Sequence, residues 1–153
     1  MKILKQTVNV VTLLTFFFLG IAAGCSHFLS TDEEFERFRT DFETLIERPG
    51  ATRLYPIVFK SQGISKTGGQ IIGTCWLTHI EIDPEWYFGA SELEKENVIF
   101  HELGHCICGL DHIETKHSDG CPANIMNATS LDPMCMKKHR INYLATLKKD
   151  CKG

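Results

Sequence analysis

The sequence predicts an α+β domain in which a small, twisted mixed sheet packs against a central helix and a C-terminal helix. Residues 54–60 and 71–81 are rich in β-branched and aromatic residues and are bounded by turn signals, as expected of short strands. Residues 92–108 and 133–149 carry apolar residues at helical spacing. A chain of 153 residues is long enough for one such core and too short for two ordinary domains.

The central helix, predicted over 92–108, has defined ends and a buried second half. Ser91 followed by Glu94 is a capping-box pattern at its start, and Gly109 permits the left-handed conformation that commonly ends a helix. The second half is apolar nearly all round, which places it at the centre of the domain. Gly104 lowers the helix propensity by about 1 kcal/mol, which indicates that another group packs closely there.

Each flanking helix has one apolar stripe. Residues 26–48 form the first, with Thr31 or Asp32 as its candidate cap, and residues 133–149 form the second. The segment 113–132 is rich in Gly, Ser, Pro and Asn and is predicted to be irregular. The residues expected to face the core are Phe35, Phe38, Phe42 and Leu45 in the first helix, and Met136, Ile141, Leu144 and Leu147 in the second.

The central helix contains the motif His101-Glu102-Leu103-Gly104-His105. Histidines four residues apart lie on one face of a helix, so both imidazoles can bind one zinc ion. Glu102 can then act as the general base that deprotonates an attacking water. Such a short motif also occurs as surface or packed histidines, but burial of three polar side chains without partners costs several kcal/mol, which favours a metal site.

The segment 106–112, CICGLDH, adds a third histidine. Together with the motif it resembles the metzincin clan, especially the matrixins, whose signature is HExxHxxGxxH. This chain has one residue more before the glycine, which rotates the helix exit by about 100° unless the last turn loosens. Two candidates for the third ligand follow: Asp111 at the standard spacing, and His112, which we prefer because GLDH matches the matrixin sequence.

The resemblance implies a metzincin-like zincin fold, a Zn²⁺ cofactor and zinc-dependent endopeptidase activity on peptide or protein substrates. It also implies a methionine turn beneath the metal, for which Met126 is the candidate, 14 residues after His112. By analogy, the strand at 80–83, which His79 precedes, would be the sheet edge along the cleft. Other histidines, including His79, His117 and His139, are expected to be structural or exposed.

Two other functional hypotheses remain open. The protein could be a catalytically inactive zinc-binding surface lipoprotein with a structural or inhibitory role, although an intact Glu102 favours activity. It could also be a gluzincin-like enzyme with Glu114 as third ligand, but this residue lies too near the motif to return on a separate helix. The net charge of −3 and the position of the lysines near the two ends argue against nucleic acid as a partner. A monomer is expected.

The N-terminus has the pattern of an export signal. Lys2 and Lys5 precede an apolar run over 10–21, which is shorter than the roughly 20 residues needed to cross a bilayer. The following AAGC resembles the lipobox of bacterial lipoproteins, which implies cleavage before Cys25, its lipidation and a membrane anchor. Ordinary signal cleavage and an uncleaved anchor are the alternatives. The prediction places the protein in the bacterial cell envelope, facing the periplasm or the exterior.

The predicted organisation is a lipoprotein signal peptide at 1–24, a tether and helix at 25–52, and the catalytic domain at 53–153. Six cysteines follow Cys25, an even number that in an exported chain suggests up to three disulfides of open connectivity. A cysteine zinc cluster is the rival, but the chain has no CxxC pair. Cys106 and Cys108 diverge by roughly 200° on a helix, so we expect them to reach different partners downstream.

Overall fold

The computed structural model of the protein describes residues 30–65, 68–129 and 132–152. The predicted signal peptide at 1–24 and the lipidation site Cys25 therefore lie outside the described residues. Within them the helices are α1 (Glu36–Ile46), α2 (Pro84–Gly89), α3 (Glu92–Cys108) and α4 (Pro133–Asp150), and the strands are β1 (Ile57–Phe59), β2 (Gly73–Cys75) and β3 (Ile80–Ile82). Short 3₁₀ helices cover Glu33–Phe35 and Ala51–Leu54.

The three strands form one mixed sheet in the order β1-β3-β2. β1 runs parallel to β3, and β2 runs antiparallel to it. The predicted α+β class with a small mixed sheet is therefore confirmed. The expectation that the strand at 80–83 forms the edge along the cleft is wrong, because β3 is the central strand and β2 is the edge strand that contacts α3.

α3 has the predicted ends, and its buried residues lie within 97–104. Residues 105–108, predicted to be buried with the rest of the second half, are only half-buried. The Glu94 carboxylate accepts a hydrogen bond from the backbone amide of Ser91 at 2.8 Å, as a capping box requires. Gly109 ends the helix in the left-handed region, with φ of 64°. Ile99 and Leu103 are fully buried between the sheet and the other helices.

The N-terminal helix packs in the same core as α3. Phe35, Phe38 and Phe42 are buried as predicted, while Ile46 replaces the partly buried Leu45 as the last core residue of the stripe. Asp32 precedes the first helical turn, but its carboxylate accepts a hydrogen bond from the amide of Phe59 at 2.9 Å rather than from the helix. The predicted cap residue thus joins the chain to β1.

The C-terminal helix α4 corrects part of the predicted core. Met136 and Leu147 are fully buried as predicted, and Leu144 is partly buried. Ile141 is 82% exposed, contrary to the prediction. Its place is taken by Tyr143, which is buried and donates a hydrogen bond to the Pro122 carbonyl at 2.7 Å. Residues two apart differ by about 200° around a helix, so only one of these two side chains can face the core.

The short helix α2 was not predicted from the sequence; it begins shortly after the predicted strand region 71–81. Pro84 lies in the first helical turn, and the Asp83 carboxylate caps it by accepting from the amide of Trp86 at 3.0 Å. A helix of six residues is too short to show an apolar periodicity.

Three disulfides join the six cysteines after Cys25: Cys75–Cys106, Cys108–Cys151 and Cys121–Cys135. Cys106 and Cys108 do reach different partners, as their divergence on α3 predicted. The expectation that both partners lie downstream is wrong for Cys106, which pairs back to the edge strand β2. None of the helices in the described part of the chain is long and apolar enough to span a membrane.

Candidate metal centre

Three imidazoles converge at the end of α3. The Nε2 atom of His105 lies 3.0 Å from that of His101 and 3.1 Å from that of His112, and the third separation is 3.2 Å. One ligand atom from each of these three histidines lies close enough to the others for all three to bind one ion, and Asp111 does not belong to this set. Of the two candidates for the third position, the structure therefore brings His112 to the other histidines.

A widened last turn of α3 accommodates the additional residue of the motif. The amide of Gly109 donates to the carbonyl of His105 at 3.1 Å, and that of Leu110 reaches back six residues to the Gly104 carbonyl at 3.2 Å. A regular helix closes its hydrogen bonds over four residues, so this exit is looser than an ordinary turn. Gly109 in the left-handed region then reverses the chain and directs His112 towards the helix.

The hydrogen bonds of the histidines fix which nitrogen carries the proton. Nδ1 of His101 lies 2.9 Å from the Ile125 carbonyl, and Nδ1 of His105 lies 2.5 Å from the Leu110 carbonyl. A carbonyl only accepts, so both Nδ1 atoms donate and both Nε2 atoms present lone pairs. Two acceptors 3.0 Å apart repel each other, and a cation between them removes that repulsion.

The donor set fits zinc. Nitrogen ligands placed tetrahedrally at about 2.0–2.1 Å from zinc would lie roughly 3.3–3.4 Å apart, close to the observed separations. Burial lowers the pKa of His101 to about 4 despite the opposing hydrogen bond to Ile125, and burial also lowers the pKa of His105. Both side chains are therefore neutral at pH 7, the form that binds a metal.

Glu102 lines the same cleft as the histidines and rests against the edge strand. Its side chain is almost fully buried, and this burial raises its pKa to about 7 although the backbone amide of Cys75 donates a hydrogen bond to it. A Cβ atom at Gly73 would lie 3.0 Å from both Cγ and Oε1 of Glu102. β2 thus forms the wall behind this carboxylate, and glycine at its first position leaves the space that the Glu102 side chain occupies.

Met126 fills the space beneath α3, in a turn at the predicted place. It is fully buried, and a Cβ atom at Gly104 would lie only 2.6 Å from its Sδ. The expectation of a close contact at Gly104 is therefore confirmed. The neighbouring Ile125 supplies the carbonyl for His101, and the Met126 carbonyl accepts from the amide of Ile113 at 2.8 Å.

Glu114 makes contacts that its position in the sequence does not indicate. Its carboxylate accepts hydrogen bonds from the Asn127 side-chain amide at 3.0 Å and from the Ala128 backbone amide at 3.2 Å. It therefore holds the segment after Met126 rather than pointing to the histidines. No local pattern could reveal this contact, because both partners lie in an irregular loop 13 and 14 residues away.

The cleft over the histidines has a volume of about 720 Å³ and is open to solvent. One wall is β2 with the segment before it, and the facing wall comes from α3 and the loop after Met126. Six of its lining residues are Thr74, Asn97, Val98, Glu102, Asn127 and Thr129. The arrangement can hold an extended chain between a sheet edge and a helix.

The remaining histidines of the described chain lie elsewhere. His79 contacts the buried carboxylate of Glu81 at 2.9 Å. His117 stacks on His139, whose ring lies 2.8 Å from Asp119. Cys121 is close to that pair, but its sulfur belongs to a disulfide and Asp119 is ion-paired with Lys138, so this second grouping is a structural cluster.

Comparison of the chain with protein families, with curated proteins and with solved structures finds no match. The interpretation of the site therefore rests on its own residues.

Proposed function

We propose that the protein is a zinc-dependent endopeptidase with a metzincin-like fold. The observation that carries the proposal is the convergence of three histidine Nε2 atoms, two of them with the proton held on Nδ1, beside the buried carboxylate of Glu102. The Met126 turn beneath α3 and the order of the elements also agree with that clan. His101, His105 and His112 would hold the metal.

A bound zinc ion supplies a Lewis acid that polarises a peptide carbonyl and increases the acidity of water. Glu102 takes a proton from the water that attacks the carbonyl carbon, and returns it to the leaving nitrogen when the C–N bond breaks. The contact with Gly73 and the Cys75 amide fixes the carboxylate, so that it need not be ordered again in each cycle.

The edge strand β2 is the proposed docking element for substrate. One of its edges pairs with β3, and the other faces the cleft. A peptide in extended conformation can add to such an edge through main-chain hydrogen bonds, which accounts for a peptide or protein as substrate.

The same proposal places the protein in the bacterial cell envelope as a monomeric lipoprotein. Its support is the AAGC sequence ending at Cys25 and the three disulfides, which form and persist in oxidising compartments.

The test combines metal analysis with hydrolysis of a general peptide substrate by the exported, processed protein. We expect one zinc per chain in the wild type and in Glu102→Ala, with hydrolysis by the wild type alone. Glu33→Gln changes an exposed residue of the first 3₁₀ helix that does not line the cleft; it serves as the control and is expected to retain full activity. Equal hydrolysis by wild type and Glu102→Ala would remove the proposed role of Glu102.

A parallel pair of variants tests the third ligand. His112→Ala is expected to lose zinc, whereas Asp111→Ala is expected to retain it. The inactive zinc-binding lipoprotein considered above predicts a different outcome, namely bound zinc without hydrolysis in the wild type. A protein that binds no zinc would contradict both functions.

A further inference from the structure

The turn between β2 and β3 presents two large apolar side chains to solvent. Trp76 is 51% exposed and Leu77 is 94% exposed. The turn is held closed by a hydrogen bond from the amide of Trp76 to the carbonyl of His79 at 2.8 Å. The Cys75–Cys106 disulfide fixes its base to α3, so the two side chains occupy a defined position.

The register of the sheet brings a third exposed apolar residue to the same end. Cys75 at the end of β2 pairs with Ile80, which pairs with Ile57 at the start of β1. Leu54, three residues before Ile57, is 81% exposed. Single exposed leucines are common on proteins, whereas here three large apolar side chains are exposed at the same end of a three-stranded sheet. We call this surface, defined by Leu54, Trp76 and Leu77, the hairpin end.

The N-terminal segment of the chain enters the domain at the hairpin end. The Thr31 hydroxyl accepts from the amide of Ile57 at 3.2 Å, and the next residue, Asp32, accepts at its carboxylate from the amide of Phe59 at 2.9 Å. Residues 31 and 32 therefore run alongside β1 in the same direction as the strand. Ser30 consequently lies beyond the start of β1, on the side of the hairpin end.

The predicted lipid anchor is close to this point along the chain. Ser30 is five positions after Cys25 along the chain. Because an extended chain spans at most about 3.6 Å per residue, acyl chains on Cys25 would hold Ser30 within roughly 18 Å of a bilayer surface. The anchor therefore limits how far the hairpin end can be from the lipid.

The chemistry of the hairpin end suits a bilayer interface. Tryptophan is enriched at the boundary between headgroups and acyl chains, and leucine contributes apolar area that lipid can cover. The exposed Arg53 beside Leu54 can interact with anionic headgroups. The disulfide-fixed turn loses little conformational freedom on contact, which lowers the cost of binding.

We propose that the hairpin end docks on the bilayer to which Cys25 is anchored. The inference rests on the lipoprotein part of the proposed function and not on its peptidase part. Cys106, at the end of α3, belongs to the same end of the molecule, so docking places one end of the cleft next to the membrane. Substrate segments close to the bilayer would then be the ones presented to the histidines.

The two tryptophans of the chain provide an internal comparison. Trp76 belongs to the hairpin end, whereas Trp86 lies in α2, which follows the opposite end of β3. Single-tryptophan variants are made in the full chain: Trp86→Phe leaves Trp76 as the reporter, and Trp76→Phe leaves Trp86. Each lipidated protein is reconstituted into vesicles of phosphatidylethanolamine and phosphatidylglycerol whose acyl chains are either brominated or unmodified, since bromine quenches nearby indoles.

We expect brominated chains to reduce the emission of Trp76 and to leave that of Trp86 unchanged. Leu77→Ser in the Trp86→Phe background should weaken the quenching of Trp76. Acylated protein that floats with the vesicles but shows no quenching of Trp76, or equal quenching of both tryptophans, would overturn the docking. A change of Trp76 emission with protein concentration in lipid-free detergent would instead assign the surface to a second copy of the chain and would also overturn it.

The mass of the protein shows separately whether Cys25 carries acyl chains. A mass without acyl chains at Cys25 would contradict the lipoprotein prediction and remove the docking proposal with it. Zinc content and peptide hydrolysis of the same preparation test the peptidase proposal, and their outcome does not depend on the docking.

Discussion

Removal of the Cys75–Cys106 disulfide should impair hydrolysis beyond its effect on stability. This bond joins β2 to α3 beside the site. The backbone amide of Cys75 donates a hydrogen bond to the Glu102 carboxylate, and Cys106 follows His105, one of the proposed zinc ligands. Without the bond, the edge strand is held to α3 by non-covalent contacts alone. The wall behind Glu102 is then free to move away from the carboxylate.

The chain-entropy relation gives the size of the stability effect. A crosslink that closes 31 residues restricts the unfolded chain by about 12 cal/mol/K, or about 3.5–4 kcal/mol at 25 °C. Cys108–Cys151 closes 43 residues, but the Cys121–Cys135 bond already shortens that loop. The two bonds should therefore contribute similar free energies of unfolding, so removal of Cys108–Cys151 is a matched control.

The assay compares the two double alanine variants by urea unfolding, zinc content and peptide hydrolysis. Both should lose about 3–4 kcal/mol of unfolding free energy. At a temperature where both remain folded and zinc-loaded, only the variant lacking Cys75 and Cys106 should lose hydrolysis, by about tenfold to a hundredfold, the range expected for a displacement approaching 1 Å. Equal residual hydrolysis in the two variants would refute the role of β2 in positioning Glu102.

Three further predictions follow from single contacts. Gly73→Ala adds a Cβ 3.0 Å from the Glu102 side chain and should lower kcat without loss of zinc, as metal analysis and kinetics can check. Burial alone would raise the pKa of Glu81, but hydrogen bonds from its neighbours outweigh it and lower the pKa from 4.5 to about 2. Glu81 therefore stabilises the fold above pH 4.5 and loses this effect as the pH falls towards 2, so Tm should drop over that range in wild type and less in Glu81→Gln. Glu114→Ala should raise KM by about fivefold, because loss of a hydrogen bond worth roughly 1 kcal/mol releases Asn127 and the cleft wall, while zinc content stays unchanged.

Features set by neighbouring residues could be predicted from the sequence. The ends of α3 follow from Ser91, Glu94 and Gly109, because capping depends on residues within one turn. The close contact at Gly104 was also predictable, because a glycine inside a helix indicates that a neighbouring group leaves no room for a side chain. The pairing of His101 with His105 needed only the helical repeat.

Features that depend on distant partners could not be predicted in the same way. Asp32 has the sequence context of a helix cap, yet its carboxylate accepts a hydrogen bond from the Phe59 amide on β1 instead. Ile141 and Tyr143 both fit an apolar stripe, and the choice between them depends on the Pro122 carbonyl, which accepts from the tyrosine hydroxyl. The edge position of β2 required the strand order, since the apolar pattern of a short strand does not identify its neighbours.

The proposed third zinc ligand shows how local sequence and long-range packing combine. One additional residue rotates a regular helix by about 100°, so the sequence left Asp111 and His112 as alternatives. The amide of Leu110 reaches the Gly104 carbonyl only because the last turn widens, and the Leu110 carbonyl then accepts from Nδ1 of His105. The widened last turn thus brings His112 next to the other two histidines and fixes the proton of His105 on Nδ1. The loop that holds Met126 under Gly104 also supplies the Ile125 carbonyl that accepts from Nδ1 of His101. The packing beneath α3 and the orientation of the histidine lone pair above it are therefore determined together. A substitution that changes the packing of Met126 should therefore change the affinity for the metal even when the domain still folds.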